Sequence, residues 1–210
     1  MSAEARSRDA ILDAAEQLFA ARGLAATTVK DIGAAAGVNS ALLYYYFPGK
    51  DALYEAVLDR LVGGFVASGG AALDTAASPD AAVRTLIEWQ AQALFARPQL
   101  PRLLARELAD HGATHAQRPL TGLAARLFAR LCEVIREGQR QGVFRTDIDP
   151  AFAAVSSISQ VAYAFIARPA LGVLLGHGLD GPPDATLREF ARHAAEFALA
   201  ALAPRIPEAS

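Results

Sequence analysis

Apolar residues recur along this chain at intervals of three and four, the spacing that lines one face of an α-helix. Ile11, Ala15, Leu18 and Phe19 make one such stripe, and Leu53, Val57, Leu58 and Leu61 another. The first predicts a helix over about 6–22 that closes at Gly23. The second predicts a helix from Asp51 to about Phe65, weakened beyond that by Gly63, Gly64, Gly69 and Gly70. Between them, Thr28 with Asp31 three positions on reads as a capping box with the shorter acid, starting a helix over 29–35. Asn39 and Ser40 are good caps for a third short helix over 40–47, after which Pro48-Gly49 forces a turn. Further on, Ser78-Pro79-Asp80 opens a helix that ends before Arg97-Pro98, followed by helices over 101–111 and 119–141, the latter closed by Gly142. Asp149-Pro150 opens one that Pro169 stops, a Gly/Pro-rich loop spans 172–183, and a last helix covers 184–203. Strand-forming residues are too scattered to compete. The expected fold is all-α with about nine helices: a three-helix unit over residues 1–50 and a larger helical domain over 51–210.

The second and third helices carry the most specific pattern. Gly33 comes first, the turn glycine Gly37 four later, and the apolar Leu43 six beyond that. A residue without bulk lets two helices cross closely, and a glycine between them can take positive φ. Val38 and Leu43 then pack beneath. That is the spacing of a helix-turn-helix, whose second helix lies in the DNA major groove. Three consecutive tyrosines, Tyr44 to Tyr46, point about 100° apart on a helix, so a small domain cannot bury all three.

Charge neither helps nor hinders this reading. The net charge is −2, and the first fifty residues balance five basic groups against five acidic ones. Placement is more telling: the only two lysines in the chain, Lys30 and Lys50, both fall in the motif. Phosphate is also gripped by hydroxyls, backbone amides and helix N-termini, which leave net charge unchanged. The 210 residues are 53% hydrophobic with a mean hydropathy of +0.22, largely from alanine and leucine. The N-terminus has no hydrophobic signal core, and the apolar run over 161–175 is broken by Arg168-Pro169, so neither a leader nor a membrane partner is expected. A single cysteine, Cys132, fits a cytoplasmic location.

Ala14-Ala15-Glu16-Gln17-Leu18-Phe19, Gly23, Thr28-Val29-Lys30-Asp31-Ile32, Ala36-Gly37-Val38, Leu43-Tyr44-Tyr45-Tyr46-Phe47 and Lys50-Asp51-Ala52-Leu53 occur in order. Together they resemble the N-terminal domain of TetR-family transcriptional regulators. The segment from Gly142 to Pro150 also looks like the one that commonly precedes the eighth helix of that family. The resemblance implies a dimeric, ligand-responsive regulator, usually a repressor, needing no cofactor. It assigns phosphate contacts to Thr28 and Lys50, places Asn39, Ser40 and Ala41 at the start of the recognition helix, and sets Tyr44, Tyr45 and Tyr46 toward DNA. Lys30, by its place in the motif, is a further candidate DNA contact beside the reading of a solvated helix charge. Tyr46 stands where histidine is common, Ala41 where glycine is common, and Gly49 where a serine or asparagine cap is common.

Reading a two-fold palindrome requires a homodimer, and its expected interface is the helices over 150–168 and 184–203. Small residues on the first (Ala153, Ala154, Ser156, Ser157, Ser159, Ala162) and the repeat Phe190, Ala194, Phe197, Ala201 on the second are its expected faces. An unidentified, mostly apolar effector is expected among Trp89, Phe95, Arg106, His111, Phe128 and Gln160, with Gln90 and Gln92 as further polar candidates. Its binding would shift the fourth helix. Glu107, His111 and His115 lie four apart and would suit a metal or acid–base chemistry on one helix face. Gly112-Ala113-Thr114 is expected to end the helix at His111, so no metal is expected. The alternatives to a regulator are a helical small-molecule-binding module and a metal-dependent enzyme built on those three residues. No nucleophile elbow or phosphate loop supports an enzyme.

Overall fold

The structure is a computed structural model describing residues 3–205. Among them there is no strand, and ten helices have seven or more residues. In chain order they are α1 (Ala3–Ala26), α2 (Val29–Ala36), α3 (Ser40–Tyr46), α4 (Lys50–Asp74), α5 (Pro79–Ala96) and α6 (Gln99–His111). A three-residue turn α7 (Gln117–Pro119) and a π-helical turn (Leu120–Ala124) lead into α8 (Ala125–Arg140), then α9 (Pro150–Ile166), α10 (Arg168–Leu174) and α11 (Asp184–Leu202). They pack as two compact units, one reaching to Gly64 and including Pro98–Leu123, the other comprising Phe65–Arg97 and the residues from Ala124 on.

In the first unit α1 packs on α2, α3 and α6. Its stripe is buried as the periodicity requires: Ile11, Ala15 and Phe19 lie inside with Ile32, Leu43, Phe47 and Leu53. Each of the Ile, Leu and Phe side chains contributes about 1.5–3 kcal/mol on burial. Phe19 meets the ring of Tyr54 edge-on at 5.0 Å. Arg60 on α4 ties to α1 through Asp13 and Glu16, both at 2.7 Å. The end expected at Gly23 is a true break (φ 80, ψ 172), although helical turns resume to Ala26.

The second unit is built on α5, which packs against α8, α9 and α11, while α9 also packs on α8, α10 and α11. Three expectations are corrected here. First, α4 does not stop near Phe65 but runs to Asp74. A Cβ on Gly69 would stand 2.7 Å from the Trp89 ring, so the glycines that weaken the helix in isolation let an aromatic pack on it. Second, Pro169 does not end a helix into loop. It occupies the first turn of α10, where a missing N–H is harmless. Third, the helix expected over 119–141 contains the π-helical turn.

The small residues of α9 divide by face. Ala153, Ala154 and Ser157 are buried within the chain, whereas Ser156 and Ser159 are exposed. On α11, Ala194 is fully buried, and Phe190 packs against the buried Ala164, Leu171 and Leu187. Phe197 and Ala201 remain exposed. A stripe at spacing three and four is wide enough to straddle two surfaces, which periodicity alone does not separate. α4 has the length and apolar composition of a membrane span. Its Leu53, Tyr54, Val57 and Leu58 are buried inside the first unit.

Candidate DNA-binding interface

The helix-turn-helix is assembled from local hydrogen bonds. Thr28 is extended, and its hydroxyl accepts from the Asp31 N–H at 3.1 Å while Asp31 Oδ2 accepts from the Thr28 N–H at 3.2 Å. This is the expected capping box. The hydroxyl also donates to Asp31 Oδ2 at 2.8 Å. These hydrogen bonds, followed by the charges of Arg22 and Lys30, hold the Asp31 carboxyl below the usual carboxylate range. At the other end of α2, Gly37 takes φ 67, ψ 29, its N–H donating to Ala34 O and that of Val38 to Gly33 O at 2.9 Å. This pair of reverse bonds is the Schellman closure. A Cβ on Gly33 would lie 3.0 Å from Val38 O, so the crossing tolerates glycine and little more.

The turn aims α3 outward. Asn39 caps it, Oδ1 accepting from the Leu42 N–H at 2.8 Å, which leaves the amide NH2 as a donor. Leu43 and Phe47 face the core. Asn39, Ser40, Ala41, Tyr44 and Tyr45 form the solvent face, with Tyr45 71% exposed and Tyr44 55%. Thr28 and Lys30 are exposed on the neighbouring helix α2 and its cap.

Two residues of the motif are engaged within the protein. The Tyr46 hydroxyl donates to the Glu4 carbonyl at 3.2 Å, latching the start of α1 to α3, and its ring meets Tyr45 edge-on at 5.1 Å. Burial, then the charges of Glu4 and Tyr45, push its phenol above the usual range. Lys50 Nζ donates to the Leu24 carbonyl at 2.8 Å and reaches Ala25 O at 3.5 Å. Arg106 Nη2 meets Ala21 O at 3.4 Å. Two cations thus close the C-terminal carbonyls of α1, where the helix dipole favours positive charge. Sequence spacing gives no sign of either bond, because the partners lie 26 and 85 residues away. Replacing Lys50 by alanine should therefore lower stability as well as charge. A charge-assisted hydrogen bond contributes about 1.5–3 kcal/mol. At about 2–4 °C per kcal/mol, calorimetry should record a fall of several degrees in Tm. An unchanged Tm would remove this structural role.

The residues expected around an effector fall in both units. Arg106 and His111 belong to the first unit; Trp89, Phe95, Phe128 and Gln160 belong to the second. The rings of Trp89 and Phe65 meet tilted at 52° with centres 4.6 Å apart. Phe95 meets Phe165 edge-on at 4.8 Å and lies under the Arg188 guanidinium at 4.3 Å. Phe95 also lines a surface cavity of about 390 Å3 with Glu88, Gln92, Arg188 and Arg192. Gln160 and Phe128 are half-buried on α9 and α8. Gln90, on the buried face of α5, has an Oε1 with no hydrogen-bond donor among the described residues.

Glu107, His111 and His115 are brought together, the first two from one face of α6 and His115 from the turn beyond it. The helix does end at His111, with Gly112 left-handed at φ 59. The turn that follows carries His115 back, so that its N–H donates to Glu107 Oε1 at 2.7 Å and its Nδ1 lies 3.2 Å from Oε2. Tyr54 hydrogen-bonds to the same carboxylate, and burial together with the Glu107 charge pushes its phenol well above the ordinary range.

A capped, glycine-turned helix pair presenting an exposed tyrosine-bearing helix defines a helix-turn-helix DNA-binding protein. Residues 11–57 match the family described as bacterial regulatory proteins, tetR family, and residues 79–196 match the tetracyclin repressor-like C-terminal domain. The chain belongs to the TetR family and is a DNA-binding transcriptional regulator, not an enzyme. The transcriptional repressor KstR2 of Rhodococcus jostii is 35% identical over 159 residues, 72% of this chain and 74% of that one. The repressor NicS of Pseudomonas putida is 30% identical over 145 residues, 68% of each chain. Among solved structures, the regulator PfmR of Thermus thermophilus superimposes with a TM-score of 0.71 at 27% identity, covering 90% of this chain and 97% of that one. Small-molecule effectors and operator DNA are the partners of such regulators.

Proposed function

We propose that the protein is a cytoplasmic homodimeric repressor that leaves a palindromic operator when a small molecule binds. The observation that carries the reading is the outward face of α3, where Asn39, Ser40, Ala41, Tyr44 and Tyr45 are free of the core. In this role the first three sit at the end of the helix that reaches base edges, and the two tyrosines flank them against the sugar–phosphate wall. Thr28 offers phosphate its hydroxyl and the N-terminus of α2, with Lys30 close by. Lys50 contributes a donor too: an ammonium carries three, so capping α1 leaves capacity for phosphate. Tyr46 acts indirectly, by holding α3 on α1.

The dimer reading is supported by apolar side chains left in solvent on α9 and α11. Phe152, Val155, Tyr163, Ile166 and Phe197 are all at least 44% exposed, an arrangement that favours a partner helix. Two recognition helices would then meet DNA about 34–36 Å apart, one turn of the duplex. α4 is the covalent route for a switch, since residues 50–64 belong to the unit carrying α3 and residues 65–74 to the other. A gel shift with the DNA upstream of the gene, together with sedimentation at micromolar concentration, tests the proposal. A dimer and a retarded complex that weakens with salt support it; a monomer or no complex defeats it.

An effector in the second unit would find an acceptor waiting in Gln90. A buried polar atom without a partner costs about 1–3 kcal/mol, so it persists only where something else is gained. Gln90→Leu should raise the urea midpoint of the free protein and blunt the release of operator by effector. A lowered midpoint would mean that Oε1 is already satisfied.

A further inference from the structure

Three side chains that could ligate a borderline metal ion converge on one point in the first unit. Glu107, His111 and His115 each offer one donor atom, and these atoms all lie within 4.8 Å of one another. The carboxylate is fully buried, while the two imidazoles are only partly buried, with 17% of the His115 side chain in solvent, so an ion can reach the carboxylate past the imidazoles. Zinc binds histidine nitrogen at about 2.0–2.1 Å and carboxylate oxygen at about 2.0–2.2 Å, which puts tetrahedral ligands a little over 3 Å apart. The present spread is wider than that, so binding draws the three donor atoms closer together. The surroundings orient the ligands. The His115 N–H already fixes Glu107 Oε1 at 2.7 Å, and the ring of Tyr54 meets that of His115 edge-on at 5.4 Å. The rings of His111 and His115 stand 4.9 Å apart at 87°, an arrangement in which two nitrogens can face a common centre.

We propose that Glu107, His111 and His115 form a site for one divalent transition-metal ion of the zinc class, with an open fourth position for water. Two imidazoles and one carboxylate are a donor set for borderline ions, and three protein ligands leave a coordination place free. The bound ion ties the end of α6 to the turn before α7, beside Tyr54 of α4. Tyr54 in turn touches Phe19 of α1. The site is separate from the face of α3 that meets DNA, and its occupancy stands or falls independently of the operator reading.

The test uses the untagged full-length chain, stripped with chelator and titrated with Co2+, whose visible bands report coordination, then with Zn2+ in competition. The expected result is one Co2+ per chain, displaced by Zn2+, with a melting temperature that rises on metal addition. His111→Gln should weaken binding at least tenfold and abolish that rise while the metal-free melting temperature stays near wild type. His115→Gln, checked by circular dichroism for folding, should do the same. The remaining two histidines, His177 and His193, lie in the other unit, and a variant carrying His177→Gln and His193→Gln should bind as wild type does. Absence of stoichiometric binding, or binding that survives both ligand variants, or binding lost in the double control, overturns the site.

Discussion

Gly33→Val should abolish specific operator binding and lower the melting temperature by several degrees. The Cβ of any larger residue at this position would stand 3.0 Å from the Val38 carbonyl, and valine adds two methyl groups beyond it. That carbonyl belongs to the turn whose Val38 N–H is bonded back to Gly33 O, so neither atom can retreat without opening the Schellman closure. Relief must come from moving α3 away from α2. Overpacking of this kind costs about 1–3 kcal/mol, and each kcal/mol lowers Tm by about 2–4 °C in a chain of this size. The functional loss should be larger than the loss of stability. Base contacts contribute about 1–3 kcal/mol each and demand hydrogen-bond geometry, so displacing the whole recognition helix forfeits several together. Affinity should fall more than about a hundredfold by fluorescence anisotropy, at a temperature where calorimetry shows the variant folded. Retained affinity would mean that the crossing has slack the geometry does not reveal. Gly33→Ala is the graded control, with a smaller decrease in both quantities.

Tyr45→Ala should separate binding from folding. With 71% of its surface in solvent, Tyr45 contributes little burial, and its ring touches Tyr46 only at the edge. Tm should therefore change by no more than a degree or two. On DNA the same ring would be covered, and loss of its contacts should weaken operator binding about ten- to a hundredfold, equivalent to about 1.4–2.8 kcal/mol. Tyr45→Phe, which keeps the ring and removes the hydroxyl, distinguishes stacking on the sugar–phosphate wall from a phosphate hydrogen bond. If the phenylalanine variant binds like wild type, the ring carries the effect; if it binds like alanine, the hydroxyl does. A Tyr45→Ala variant with unaltered affinity would place the DNA elsewhere. The companion change Tyr46→Phe should behave in the opposite sense, loosening the junction of α1 with α3 through loss of the Glu4 bond.

What the sequence by itself determined is whatever local physics controls. The capping box at Thr28, the left-handed Gly37, the Asn39 cap and the Pro150 start depend on atoms a few residues apart, and the structure has each of them where the pattern places it. The all-α class follows from periodicity for the same reason. The inward and outward faces of α3 were legible too, because three tyrosines cannot all be buried. Only the tertiary structure decided how long-range partners use these elements. Lys50 and Tyr46 looked like free donors, but each is bonded to a backbone carbonyl of α1, 26 and 42 residues away. The glycines that should have ended α4 are tolerated because Trp89 packs on one of them. Glu107 and His115 meet through a left-handed turn, not through helical spacing. Two apolar stripes, on α9 and α11, divided between core and surface in ways that a spacing of three and four leaves open. Local torsions and hydrogen bonds are written into neighbouring residues. Which surface a side chain faces, and which carbonyl a cation reaches, depends on the packing of helices far apart in the chain.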